Sequence, residues 1–324
     1  MTGVGRRTLM TGGASAMATS ALSQEDGPRL IRYRGATVGA PDLAQFEEWY
    51  VRWLGLTVRE RGRVSAAIAN SWGAPKTAGR PYILLSPDAN PDVFIRAVEV
   101  DTVASYKAMT TWGWNAIEII VQDIPALYAK LKKSPFTFVG EPAPLGRYPT
   151  IIAMQVKGPA EDILYLTCET GDHTKSPLPI AQSLVDRIFI MVGGGPDIAK
   201  MQGWYADTFN MKRNAINDAT TDIVRKAQGK TMKDPLPTTL LYLKNHGNIM
   251  QLDGYTDAAS ARPRADGQLP PGIAMTSFEV RSIDALNVTP MAPPARLDGA
   301  HYAGHLAVTA IGAGTELVEL IEGG

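Results

Sequence analysis

A segment that occurs twice decides what this chain can fold into. Pro41-Asp42-Leu43-Ala44 runs on to Trp49-Tyr50 and Trp53-Leu54-Gly55-Leu56, and Pro196-Asp197-Ile198-Ala199 runs on to Trp204-Tyr205 and Thr208-Phe209-Asn210-Met211. Pro41 to Pro196 and Trp49 to Trp204 are each 155 positions apart, and a long internal period has to be settled before a fold is chosen. Leu43, Phe46, Tyr50 and Leu54 recur at helical spacing, as do Ile198, Met201, Tyr205 and Phe209, so each copy predicts an amphipathic helix with one buried stripe. Asp42 and Asp197 stand where those helices begin, and a carboxylate there accepts from the free N–H groups of the first turn. A short apolar run precedes each, Gly35 to Val38 and Ile188 to Val192. Both halves of the chain therefore open strand, turn, helix.

Length agrees with the repeat. At 324 residues a prior of roughly 150 residues per domain gives two, and a 45% hydrophobic composition supplies both cores. The 32 basic and 32 acidic side chains balance, which gives no electrostatic reason to expect nucleic acid or a membrane surface as partner. No run approaches the ~18 apolar residues of a spanning helix, so no membrane insertion is expected. The single cysteine, Cys168, excludes an internal disulfide and a cysteine-rich metal site. Within Ile163 to Thr167 and beyond, it reads as a buried small side chain rather than a nucleophile.

The first 28 residues read as an export signal or a disordered tail. Gly5-Arg6-Arg7-Thr8-Leu9-Met10 leads into a weakly apolar tract of small residues with Gly12-Gly13 and no charge before Glu25, which resembles a twin-arginine signal. Ala21-Leu22-Ser23 offers small residues for cleavage. The expected location is the periplasm.

The rest divides into a first module at 29–170, a linker at 171–183 rich in turn residues, and a second module at 184–324. Strand-like runs at Arg29 to Val38, within Leu56 to Ser86 and at Val93 to Val100 surround the first helix, and the pattern restarts with Trp114 to Val121, a helix from Asp123 to Leu131, and strands near 136–139, 150–156 and 162–167. The second module repeats it with strand 184–192, helix 197–209, strands near 212–216, 238–244 and 248–253, an extra helical insert at Thr220 to Gln228, then strand 273–280, a short helix from Ser282, and strands near 305–311 and 315–322. Each module is two βαβββ units, an α+β fold.

Four such units, with Val121-Gln122-Asp123-Ile124-Pro125-Ala126-Leu127 and Val280-Arg281-Ser282-Ile283-Asp284-Ala285-Leu286 opening the second unit of each module, resemble the vicinal-oxygen-chelate superfamily of glyoxalase I, extradiol dioxygenases and bleomycin-resistance proteins. The resemblance covers residues 30–322. It implies that two units curl a mixed sheet into a cup, with metal ligands on the first and last strands of each unit. Fold and reaction are only loosely tied.

Mapped from the helix starts, the first-strand positions are Gly35, Ala116, Ile190 and Met275, and the last-strand positions are Arg96, Tyr165, Gln251 and Glu319. A divalent site takes about three His or carboxylate ligands; the first module offers none and the second offers Glu319. Cup-facing positions recur every second residue, and a shift of two reaches Glu118, Asp253 and Ser277, a shift of four Glu279. No metal or other cofactor is expected, save a divalent ion at Glu319 if the register is misplaced, in which case His301 or His305 is the missing ligand. Expectation places catalysis in the second module, with Glu319 as base and His305 and Gln251 beside it. Ser277, Glu279, Arg96 and Tyr165 are the expected substrate contacts. Gly193-Gly194-Gly195 lacks the Lys-Ser/Thr of a phosphate loop and reads as a turn. The partner is a small organic molecule, and the protein is a monomer or homodimer. Two functions remain open: an enzyme of lyase, isomerase or oxygenase-like type, or a protein that sequesters a small molecule.

Overall fold

The computed structural model describes residue 1 and residues 27–146, 148–219, 222–255 and 257–323. The Arg6-Arg7 pair and the Ala21-Leu22-Ser23 sequence lie outside them. The first unit runs β1 (Leu30–Ala40), α1 (Leu43–Trp49, continued by a wider turn over Tyr50–Leu54), β2 (Thr57–Arg63), α2 (Ala66–Ser71), β3 (Pro81–Ser86) and β4 (Phe94–Glu99). The second runs β5 (Gly113–Val121), α3 (Ile124–Leu131), β6 (Thr137–Leu145), β7 (Tyr148–Lys157) and β8 (Ile163–Glu169). The third holds β9 (Val185–Gly195), α4 (Ile198–Phe209), β10 (Asn217–Asp218), α5 (Ile223–Ala227), β11 (Pro237–Tyr242) and β12 (Ile249–Gly254), and the fourth β13 (Gly272–Val280), β14 (Ala295–Arg296), β15 (Leu306–Ile311) and β16 (Leu317–Glu322).

The two copies of the repeat form helices for the reason their sequence gives. Asp42 Oδ1 accepts from the Gln45 N–H at 2.9 Å and Asp197 Oδ1 from the Lys200 N–H at 3.0 Å, each closing the first turn. Asp123 caps α3 in the same way at 2.8 Å. The helix expected from Ser282 is a single turn, closed by the Leu286 N–H on the Ile283 carbonyl. Pro290, Pro293 and Pro294 follow too soon for further helix. The short helix α2 was not legible in the first unit.

The units do not pair as neighbours in sequence. One eight-stranded sheet has the order β14-β15-β16-β13-β1-β4-β3-β2, joining the fourth unit to the first, and the other has the order β10-β11-β12-β9-β5-β8-β7-β6, joining the third to the second. The seams are antiparallel, from Leu30↔Val280 to Gly39↔Gly272 and from Gly113↔Gly194 to Val121↔Val185. A cup confined to 29–170 or to 184–324 is therefore not what forms. Pairing within halves would set Glu319 against Gln251 and leave its buried carboxylate without a cation, which costs several kcal/mol. The observed pairing brings Arg96 and Glu319 together.

The largest core lies between the sheets and under α1, α3 and α4, with Phe46, Tyr50, Trp114, Tyr205, Phe209, Phe278 and Leu320 among its fully buried members. Two polar links cross it, and the repeat relates them. Tyr50 donates to Asp162 at 2.5 Å, and Tyr205, 155 positions on, donates to Glu316 at 2.8 Å. Burial pushes the Glu316 carboxyl up to about 7, and its second oxygen has no hydrogen-bond partner. Removing the phenol leaves a buried carboxyl short of a donor, so Tyr50→Phe and Tyr205→Phe should each lower stability by about 1 to 3 kcal/mol in urea unfolding. Losses within about 0.5 kcal/mol for both would show the links to be incidental.

Candidate functional site

Four adjacent strands in the middle of the first sheet, β4-β1-β13-β16, present one row of side chains on the face opposite the main core. Thr37 of β1 lies beside Arg96 of β4, and Ser277 of β13 lies beside Glu319 of β16. Each first-strand position is two residues beyond the expected one: Thr37 replaces Gly35 and Ser277 replaces Met275. In the other sheet Glu118 replaces Ala116 beside Tyr165, and Val192 replaces Ile190 beside Gln251. Counting back from the helix start misplaced the register by the same two residues in all four units, because the row residue stands five positions before the helix start (Thr37 before Asp42, Glu118 before Asp123, Val192 before Asp197, Ser277 before Ser282) rather than seven.

Glu319 is the hub of this cup. Its Oε1 accepts from the Trp72 indole at 2.8 Å and the Tyr302 phenol at 2.6 Å. Its Oε2 accepts from Ser277 at 2.5 Å and Arg96 at 3.1 Å, and lies 3.1 Å from His301 Nε2. Arg96 also donates to Thr37 Oγ1, at 3.0 and 2.8 Å, and to Tyr302 at 2.8 Å. Its guanidinium lies 4.6 Å from the centre of the Trp72 ring, a cation–π contact. Trp72 follows α2, which crosses the cup, and His301-Tyr302 come from the turn before β15. Gly35 makes room for the imidazole: a Cβ there would come within 3.2 Å of His301 Cε1 and 2.4 Å of the Phe94 carbonyl.

Electrostatics fix the protonation states. Burial works to raise the Glu319 pKa, but the Arg96 charge and the His301 and Ser277 hydrogen bonds overcome it and hold the carboxyl well below its usual range. Burial likewise opposes the Arg96 charge, and Tyr302 and Glu319 restore it. Burial and the Arg96 charge depress His301 to about 4, against the pull of Glu319. His301 is therefore neutral at pH 7. Its Nε2 lies 3.0 Å from Ser277 Oγ and 3.1 Å from Glu319 Oε2; in the tautomer with the proton on Nε2, the lone pair is on Nδ1, a buried atom with no partner. Arg96, Trp72, His301 and Tyr302 wall a space of about 10 Å³, room for at most one water.

This donor set does not fit the divalent ion that the resemblance implies. A guanidinium stands in the row of ligand positions, and both oxygens of Glu319 are already engaged. Among the described residues no three His, Cys, Asp or Glu side chains come together to hold a metal.

Of the residues singled out in the sequence, Arg96, Ser277 and Glu319 meet here. Glu279 is on the same strand but is held by Arg32 at 2.8 Å and Arg34 at 3.6 Å. His305 is half-buried before β15, and the ring that reaches Glu319 is that of His301. Gln251 and Tyr165 lie in the other sheet, so no second-module site containing both Glu319 and Gln251 forms. There Gln251 donates to Asp253 at 3.0 Å, and Glu118 accepts from Thr167 at 2.6 Å. Trp72, Tyr302 and Thr37 were missed. Nothing in their local sequence sets them apart, since long-range strand pairing alone brings them to the row.

Burial raises Glu118 to about 7 and Asp253 to about 6. For Glu118 the folded state keeps its proton as pH rises through 4.5, where the unfolded chain releases it, so stability falls until about pH 7 and is flat above. Glu118→Gln removes that penalty. The variant should gain stability over the wild type by on the order of 2 to 3 kcal/mol more at pH 8 than at pH 4. Denaturant unfolding at the two pH values measures it, and an equal difference at both would contradict the assignment.

No protein-family model matches the sequence, and no curated protein matches it. Solved structures do match in three dimensions. Glyoxalase I from Zea mays is 12% identical, with 90% of this chain and 92% of that one covered at a TM-score of 0.58. A Bacillus subtilis protein named "putative dioxygenase" is 10% identical, with 92% and 86% covered at 0.59. Together with the two eight-stranded sheets and their repeated units, these likenesses show that the chain has the two-module α+β fold of the glyoxalase and dioxygenase superfamily.

Proposed function

We propose that the protein is an enzyme that moves a proton on a small organic molecule, in a reaction of lyase or isomerase type, at the cup shared by the first and fourth units. The observation that carries this reading is His301: a neutral imidazole anchored through Nε2 to a carboxylate, with a buried and unpartnered Nδ1. Such an imidazole can take a proton at Nδ1, pair the resulting charge with Glu319, and return the proton to the product. Glu319 is the orienting group rather than the base, because both its oxygens already accept from Trp72, Tyr302, Ser277 and Arg96. Arg96 adds fixed positive charge beside negative charge developing on the substrate. A saturated, buried ion pair adds little net stability compared with apolar side chains of the same size, which favours a functional reason for keeping it.

The cup described is closed, and entry of substrate requires the turn at 298–304 to move. That turn holds Gly299, Ala303 and Gly304 at φ of 97°, 52° and 75°. Positive φ is costly for an alanine, and strain of this kind is concentrated at functional sites. We place this work in the periplasm on the Arg6-Arg7 sequence. Replacing both arginines by lysine should retain the full-length precursor in the cytoplasm, and an unchanged distribution would remove that part of the proposal.

The test is a screen of small carbonyl and hydroxy-acid compounds in deuterated water, read by NMR for turnover or deuterium uptake. For a compound that reacts, His301→Gln should slow kcat by about 10² to 10⁴-fold, and Glu319→Gln should slow it while leaving KM within about tenfold. Tyr165→Phe, in the other cup, should change neither. Full activity in a folded His301→Gln protein would overturn the proposal.

A further inference from the structure

The second cup is built differently, and its open side carries an unassigned groove. On the strands β6, β7 and β8 lie two recesses of about 740 and 580 Å³, each within the range of small-molecule sites. Val139, Ile223 and Lys226 line both, so the short helix α5 lies across one groove and divides it. Ile223 is buried on the groove side of α5, in one cluster with Met109 and Ile163. The larger recess is thus apolar along its floor, with Met109, Val139, Ile163 and Ile223.

Its charge is one-sided. Lys107, Lys157 and Lys226 line the larger recess, and Glu161 is its one acidic residue. Lys157 is paired with Glu161 at 2.5 Å and Lys226 with Asp222 at 2.7 Å. Lys107 is exposed, and it makes no ion pair among the described residues. An apolar floor with one uncommitted ammonium at its rim suits a molecule with an apolar body and an anionic end.

We infer that this groove is a second ligand site, independent of His301 and Glu319, for amphipathic carboxylates, whose apolar chain lies along Met109, Val139 and Ile163 and whose carboxylate meets Lys107. The site is lined by the second and third units and by the connection from β4 into β5, so it does not rest on the catalytic reading of the other cup.

Titration calorimetry on the whole protein with dodecanoate and dodecan-1-ol, both below micelle-forming concentrations, tests it. Dodecanoate should bind once per chain and at least about tenfold tighter than the alcohol, with the advantage shrinking at high salt. Lys107→Glu, on the surface, should weaken dodecanoate by about tenfold or more and leave the alcohol unchanged, while Ile223→Trp should weaken both by filling the groove. No binding of dodecanoate, equal binding of acid and alcohol, or indifference to both substitutions would overturn the inference.

Discussion

Arg96 and Glu319 lie 223 positions apart and meet at 3.1 Å with side chains 3% and 0% exposed. That contact, beside the β1 and β13 seam, joins the first unit to the fourth. If β4 and β16 flank the paired strands β1 and β13, the second and third units are left to form the other sheet. The chain crosses from one sheet to the other after β4 and again before β13. Trp114 then donates to the Leu317 carbonyl at 2.7 Å across the gap, and Arg262 donates to the Ile273 and Trp114 carbonyls, tying the two sheets to each other.

The repeat sharpens the comparison of the two cups. Arg96 and Gln251 are repeat partners, as are Glu319 and Tyr165, so the same four strand positions carry an ion pair in one cup and an amide with a phenol in the other. In the first cup the charged row is covered by α2, Trp72 and the turn around His301, which leaves almost no free volume. In the second, Glu118 and Asp253 are buried with near-neutral acidities, and space remains on its open side beside α5. One scaffold holds a compact polar centre and an apolar groove.

The units, the capped helices and the last-strand residues were legible in the sequence because they depend on local chemistry: helical spacing, an aspartate before the first turn, and alternation along a strand. The partner of each unit was not. Identical periodicity in all four units says nothing about which two share a sheet, and charge did not decide it either, since Arg96 could be matched with Glu118 of its own half as well as with Glu319. The two-residue error at Thr37, Glu118, Val192 and Ser277 is the same in all four units, because the length of the turn between strand and helix, which sets the register, leaves no mark in a hydrophobic pattern. His301 was seen as an alternative to His305 but could not be preferred, because its place is set by a turn with Gly299 and Gly304 rather than by strand alternation.

A double-mutant cycle on Arg96→Met and Glu319→Met, followed by denaturant unfolding, tests the central contact most directly. If the two side chains form one buried pair, each single change should cost about 3 to 5 kcal/mol by stranding its partner, and the double change should cost less than their sum by at least about 2 kcal/mol. Additivity to within about 0.5 kcal/mol would mean that the two residues do not meet, and would contradict the pairing of the first and fourth units.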